Sequence, residues 1–125
     1  MIQHVTRQIQ RSELSACLRF YELLGYEQTD VPQGIEGRAV WLAKPGTDPS
    51  GPHLHLQFAD DAEITEQGHV AFVVAPYDQT LERLRAAGFE VDRRREHWGS
   101  PRAYVRDPAS NLVELMARAP GQRAQ

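Results

Sequence analysis

Five histidines and one isolated glutamate are the side chains of this 125-residue sequence best suited to hold a metal ion or move a proton: His4, His53, His55, His69, His97 and Glu114. Four of the histidines fall in segments that alternate as strands do, although histidine has only a modest strand preference. Successive strand side chains point to opposite faces, so period two decides which of them can cooperate. In His53-Leu54-His55-Leu56-Gln57-Phe58 the polar residues share one face and the apolar ones the other, which predicts that both histidines point away from the packed side. His4 shares its face with Thr6 and Gln8. Glu114 is the only charged residue of the apolar run Leu112-Val113-Glu114-Leu115-Met116, and a carboxylate there needs a partner. That partner is either a metal ion or a guanidinium of Arg102 or Arg106 on the neighbouring hairpin strand.

The positions of these residues are tied together by a weak internal repeat. His4-Val5, a helical stretch and Leu24-Gly25-Tyr26-Glu27 recur in the same order as His69-Val70, a second helical stretch and Ala87-Gly88-Phe89-Glu90. In the first copy Ser12 is placed to cap a helix carrying Leu14, Cys17, Leu18, Tyr21 and Leu24 at helical spacing, with Gly25 at its stop. In the second, Asp78 is the expected cap, Leu81, Leu84 and Ala87 the stripe, and Gly88 the stop. Strands are expected at 5–9, 26–29, 38–43 and 53–58, then at 70–74, 89–93, 102–106 and 112–117. A proline and glycine loop, 44–52, separates two of them, and Asp107 to Asn111 forms a tight turn between the last two. The expected class is therefore α+β, with two βαβββ modules (about 2–58 and 69–117, joined by 59–68) in one domain spanning 1–125 and a tail that frays from Pro120. The repeat equates His4 with His69 and His55 with Glu114. Three imidazoles and a carboxylate suit one divalent ion, Zn, Ni, Co, Mn or Fe, with a position left for water or substrate. His53 and His97 fall outside the symmetric set and read as solvent-facing or locally satisfied.

Composition narrows the classes of partner. Asp and Glu number 17 against 14 Lys and Arg, a formal charge of −3, which speaks against phosphate-backbone binding to nucleic acid. All the basic residues except Lys44 are arginines, whose planar forks suit carboxylate or phosphate groups. No apolar run approaches the ~18 residues of a membrane span. The first residues lack a basic segment followed by an apolar one, so a cytoplasmic location is expected. The single cysteine, Cys17, reads as a small buried hydrophobe.

Four motifs in order, His4-Val5, Phe20-Tyr21-Glu22-Leu23-Leu24-Gly25-Tyr26, Gly68-His69-Val70-Ala71-Phe72 and Asp107-Pro108-Ala109-Ser110-Asn111-Leu112-Val113-Glu114-Leu115, resemble the vicinal oxygen chelate superfamily, also called glyoxalase/bleomycin resistance/dioxygenase. The resemblance spans about 2–116. It implies paired modules whose curled mixed sheet surrounds a cavity with helices outside, a homodimer, and metal ligands at His4, His55, His69 and Glu114. Two departures stand out. Members often carry Asp-Pro-Asp-Gly-Asn at the turn, so Ser110 or Asn111 here is expected to be strained. Bacterial glyoxalase I has glutamate where this chain has His55, which leaves the ion more positive and Glu114 both ligand and base.

The expected activity is metal-dependent lyase, isomerase or addition chemistry on a small substrate presenting neighbouring oxygens. Glu114 and Tyr104 are the expected catalytic groups. Arg102, Arg106 and Trp98 are the expected substrate contacts, one arginine meeting an anionic group and Trp98 stacking on the ligand. Trp41, between Val40 and Leu42, reads as core. The alternative is a metal-free protein that binds a drug or metabolite, as bleomycin resistance proteins do. A ring-cleaving dioxygenase using two histidines and a glutamate on iron ranks third, because such enzymes are usually more than twice as long.

Overall fold

The computed structural model describes residues 1–123; residues 124 and 125, the end of the tail expected to fray, lie outside the described residues. The chain divides into two compact units, Met1–Ile64 and one starting at Thr65. Each carries one four-stranded mixed sheet and one α-helix, the βαβββ order expected from the repeat.

In the first unit β1 (His4–Ile9) leads through a 3-10 turn at Arg11–Glu13 into α1 (Leu14–Leu23), followed by β2 (Glu27–Thr29), β3 (Ala39–Ala43) and β4 (His53–Phe58). The sheet order is β1-β4-β3-β2, with β1 parallel to β4 and the other pairs antiparallel. Val40, Leu42, Leu54 and Leu56 lie on one face of β3 and β4 and are buried, as are Cys17, Phe20, Tyr21 and Leu24 from α1 and its cap. Full burial of a side chain of that kind stabilises by roughly 1.5–3 kcal/mol. Ser12 is not the cap. Glu13 stands at the N-cap of α1, and the 3-10 turn before it is closed by a capping box in which the Gln10 backbone N–H donates to Oε1 of Glu13 at 2.8 Å.

The second unit repeats the plan with β5 (His69–Val73), α2 (Tyr77–Ala86), β6 (Asp92–Arg94), β7 (Arg102–Arg106) and β8 (Leu112–Met116), in sheet order β5-β8-β7-β6. Its apolar face presents Phe72, Ala103, Val105, Val113 and Leu115, all buried. Pro76, not Asp78, stands at the helix cap, and its carbonyl accepts from the Thr80 N–H at 3.1 Å and the Thr80 hydroxyl at 2.8 Å. The strand expected at 89–93 is shorter and later. The Phe89 N–H is spent on the Leu84 carbonyl at 3.0 Å and Gly88 N–H on Arg85 at 2.9 Å, a helix-closing motif that needs the left-handed Gly88 (φ 94) and keeps Phe89 out of the ladder. The first unit closes α1 in the same way, Tyr26 to Tyr21 and Gly25 to Glu22. Among the described residues no helix is long and apolar enough to cross a membrane.

The turn before β8 is held by Asp107, which is buried and accepts at Oδ1 from the backbone N–H groups of Ala109 and Asn111, each at 2.9 Å. Ser110 has φ 73, the positive value at which a side chain is strained. Ser110→Gly is therefore expected to raise the unfolding free energy by about 1 kcal/mol, read as a shift in urea midpoint at unchanged slope.

Candidate functional site

The two sheets share one strand order and one pairing register, and that correspondence organises the chemistry. On β4 and β3, His55 pairs with Trp41, which pairs in turn with Thr29 on β2. On β8 and β7, Glu114 pairs with Tyr104, which pairs with Asp92 on β6. Counting two residues along each strand, His53 matches Leu112, Ala39 matches Arg102 and Ala43 matches Arg106. The shared face is polar and aromatic in both units, opposite the apolar faces described above.

In the first unit this face carries a row of rings. His4 and His55 stack with centroids 4.1 Å apart and planes 15° apart, and His55 stacks on Trp41 at 4.2 Å and 3°. His53 tilts beside them, 5.8 Å from Trp41. Both β4 histidines lie on the expected face, opposite Leu54 and Leu56, yet they are buried, each 7% exposed. Neither His53 Nδ1 nor His55 Nε2 has a hydrogen-bond partner. Burial, with His4 and His53 nearby, pulls the His55 pKa down to about 4, so the ring is neutral at pH 7 and its nitrogen lone pair is available. His4 Nδ1 lies 2.5 Å from Gln3 Oε1. Trp41 is half-buried and belongs to this row, not to the apolar core.

The second unit places His69, Glu114, Arg102 and Tyr104 together. Glu114 is buried, with Oε1 3.0 Å from His69 Nε2 and Oε2 accepting from Arg102 Nε at 2.9 Å. His69 Nδ1 is 2.8 Å from the Gln67 carbonyl. A carbonyl only accepts, so the Nδ1 proton is fixed and Nε2 presents a lone pair toward the carboxylate. Two lone pairs face each other across 3.0 Å unless an electrophile, a proton or a metal ion, lies between them. An imidazole that donates its far N–H to a backbone carbonyl has the orientation usual among metal-ligating histidines, whose near nitrogen is then turned toward the ion.

The remaining expected residues are placed as follows. Arg102 is buried and its donors go to Glu114, to the Arg95 carbonyl at 2.8 Å and to the Tyr104 hydroxyl at 3.2 Å; the hydrogen bond to Glu114 holds its pKa above the ordinary range. Arg106 donates to the carbonyls of Ser110 and Glu66. Both Arg106 and Tyr104, with His69, line an open cavity of about 800 Å³ that also meets Arg94, whose guanidinium lies 5.1 Å from the Tyr104 ring centre. Trp98 is outside that lining, its indole N–H donating to the Arg118 carbonyl at 2.8 Å. Among the described residues no three His, Cys, Asp or Glu side chains are grouped as ion ligands. The Gln67 carbonyl and Arg94 were not anticipated. In the sequence Arg94 stands within Asp92-Arg93-Arg94-Arg95-Glu96, a mixed-charge stretch in which alternation with Asp92 is the one sign that the two share a face.

Comparison with known proteins bears on this arrangement. Residues 1–115 match the family model described as Glyoxalase/Bleomycin resistance protein/Dioxygenase superfamily. No curated protein matches the chain. Among solved structures, a glyoxalase family protein from Bacillus anthracis is 24% identical with TM-score 0.79, covering 93% of each chain. The fosfomycin resistance protein FosX from Listeria monocytogenes, solved with Mn(II) and a dihydroxypropylphosphonic acid, is 22% identical with TM-score 0.70, covering 95% of this chain and 90% of its own. A bleomycin resistance determinant encoded on transposon Tn5 is 13% identical with TM-score 0.62, covering 90% and 94%. At these identities the likeness is one of fold.

Proposed function

Because the chain belongs to the glyoxalase/bleomycin resistance protein/dioxygenase superfamily, we propose that it is a small metal-dependent enzyme performing glyoxalase-like lyase, isomerase or addition chemistry on a substrate with neighbouring oxygens. The ligands in this reading are His69 and Glu114 from the second module and His4 and His55 from the first, in the homodimer that the family resemblance implies. The observation that carries it is the His69–Glu114 pair, whose fixed Nδ1 proton leaves a lone pair opposed to a carboxylate oxygen. The unpartnered, neutral His55 nitrogen supports the same donor chemistry. When bound, a divalent ion supplies Lewis acidity toward substrate oxygens.

The chain's own groups divide the remaining work. Arg102 engages Glu114 through Oε2, which leaves Oε1 to meet His69 or to take a proton from the substrate. Tyr104 accepts from Arg102 and keeps its own hydroxyl proton for a substrate oxygen. Arg106 and Arg94, at the cavity wall, suit an anionic substrate group.

One observation favours a second reading. Arg102 already gives Glu114 a buried counter-ion, so the carboxylate is balanced without a metal, as a sequestering protein of the bleomycin resistance kind requires. Elemental analysis of untagged protein purified without chelator separates the two. Near-stoichiometric divalent metal, lost in a His69→Ala/Glu114→Ala variant, is the expected result. No metal after supplying Zn, Mn, Fe, Co and Ni in turn overturns the enzyme reading and leaves the sequestering one.

A further inference from the structure

We propose that Arg106 and Thr65 are positioning residues that hold the Gln67 carbonyl against His69 and so keep the ring proton on Nδ1, a role that deepens, and rests on, the reading of His69 as a ligand. Three successive backbone carbonyls ahead of β5 each accept from a side chain. Glu66 takes Nη2 of Arg106 at 3.0 Å, Gln67 takes Nδ1 of His69 at 2.8 Å, and Gly68 takes the Thr65 hydroxyl at 3.2 Å. The Gln67 peptide is therefore bracketed. With its neighbours tied on both sides, it has little freedom to turn its carbonyl away from the ring.

The sheet explains how Arg106 reaches so far. It stands opposite Leu112 on β8, and Leu112 stands opposite His69 on β5, so the three form one row across the end of the sheet. The guanidinium spans that row, with Nη1 on the Ser110 carbonyl at 2.8 Å and Nη2 on Glu66. Those bonds use only part of its five-donor fork and leave the rest for a substrate anion. At the other side of the bracket, a Cβ on Gly68 would lie 2.5 Å from Thr65 Oγ1, so glycine is what lets the hydroxyl fold back.

The first unit lacks this device. Ala43 occupies the place of Arg106, and His4 Nδ1 faces the side-chain amide of Gln3, which presents either an oxygen or an N–H after a half turn. A backbone carbonyl only accepts, and a bracketed one cannot swing aside. The bond made at one ring nitrogen decides what the other presents, so His69 is preset with its Nε2 lone pair toward the site.

The test reads the ring nitrogens of the isotope-labelled full-length chain by long-range proton–nitrogen correlation, with chelator, at about pH 9, where an ordinary imidazole is neutral. Arg102→Met/Glu114→Gln is the background, because the glutamine amide can donate or accept at Nε2 and leaves the choice of tautomer to Nδ1. His69→Gln identifies the signals. A protonated Nδ1 is expected in that background. Adding Arg106→Met or Thr65→Val should raise the ratio of bare to protonated Nδ1 roughly three- to tenfold, the weight of a modest hydrogen bond. Thr65→Ser, which keeps the hydroxyl, should leave the ratio unchanged. A merely structural role would lower the urea midpoint without moving it. Where circular dichroism shows the background unfolded, Glu114→Ala replaces it, and where Arg106→Met is unfolded, Thr65→Val decides. A bare Nδ1 in the background, or an unchanged ratio in the folded variants, overturns the proposal. That failure leaves the metal reading untouched, and failure of the metal reading in elemental analysis leaves these nitrogen signals to decide.

Discussion

Arg102→Ala should lower the unfolding free energy of the metal-free chain by about 3–5 kcal/mol, the cost of leaving one member of a buried ion pair without its partner. The Arg102 and Glu114 side chains are each 9% exposed, and the guanidinium also satisfies the Arg95 carbonyl and the Tyr104 hydroxyl. Its removal therefore strands a carboxylate, a carbonyl and a phenol together. The measurement is urea unfolding at pH 7 with chelator. Replacing both partners, Arg102→Met with Glu114→Gln, should recover a large part of the loss, because no charge is then left unpaired. A single variant within 1 kcal/mol of the parent would show that water reaches Glu114 freely. Divalent metal should narrow the deficit of Arg102→Ala if His69 and Glu114 bind it, since a ligand held by the folded state alone stabilises that state.

The second large effect is on pH dependence. His55 titrates near 4 in the fold against an ordinary imidazole value of 6.5, so the unfolded chain binds the additional proton in between. Stability contributed by the neutral ring is present above 6.5, declines as pH falls toward 4 and levels off below it. Allowing for screening by water, the decline amounts to roughly 2 kcal/mol. His55→Gln should flatten the urea-midpoint profile over that window while leaving the limb above pH 7 in place. An unchanged slope would assign the acid sensitivity to other groups.

Much of this architecture is legible in the residue order. The bounds expected for β4 and β7 coincide with those observed, because each is an alternating run bracketed by proline, glycine or aspartate. The partner anticipated for Glu114, if not a metal, included Arg102, and that contact is present. Elsewhere, local signals were outranked. Ser12 and Asp78 are good cap residues, but Glu13, one position after Ser12, stands at the cap of α1, and Pro76, two positions before Asp78, at that of α2. Phe89 is a good strand former whose N–H is committed to closing α2. Trp41 offered a usable clue: between two buried aliphatics in a strand, it must face the other way, toward His55. The burial of His53 and His55 was hidden, because alternation identifies a face without saying whether that face is covered.

The strand order also sets when the chemistry can come into being. Each sheet is sealed by its first and last strands, β1 with β4 and β5 with β8, so both donor pairs straddle the contact that joins the ends of a module. His69 and Glu114 stand 45 residues apart in the chain and meet only when that final pairing is made. Such distant pairing is the slow, entropy-limited part of folding. As the protein leaves the ribosome, the first imidazole pair can assemble once Phe58 has emerged, whereas the second waits for nearly the last residue of β8. A chain cut before Glu114 would lack the His69–Glu114 contact, so that contact reports closure of the second sheet.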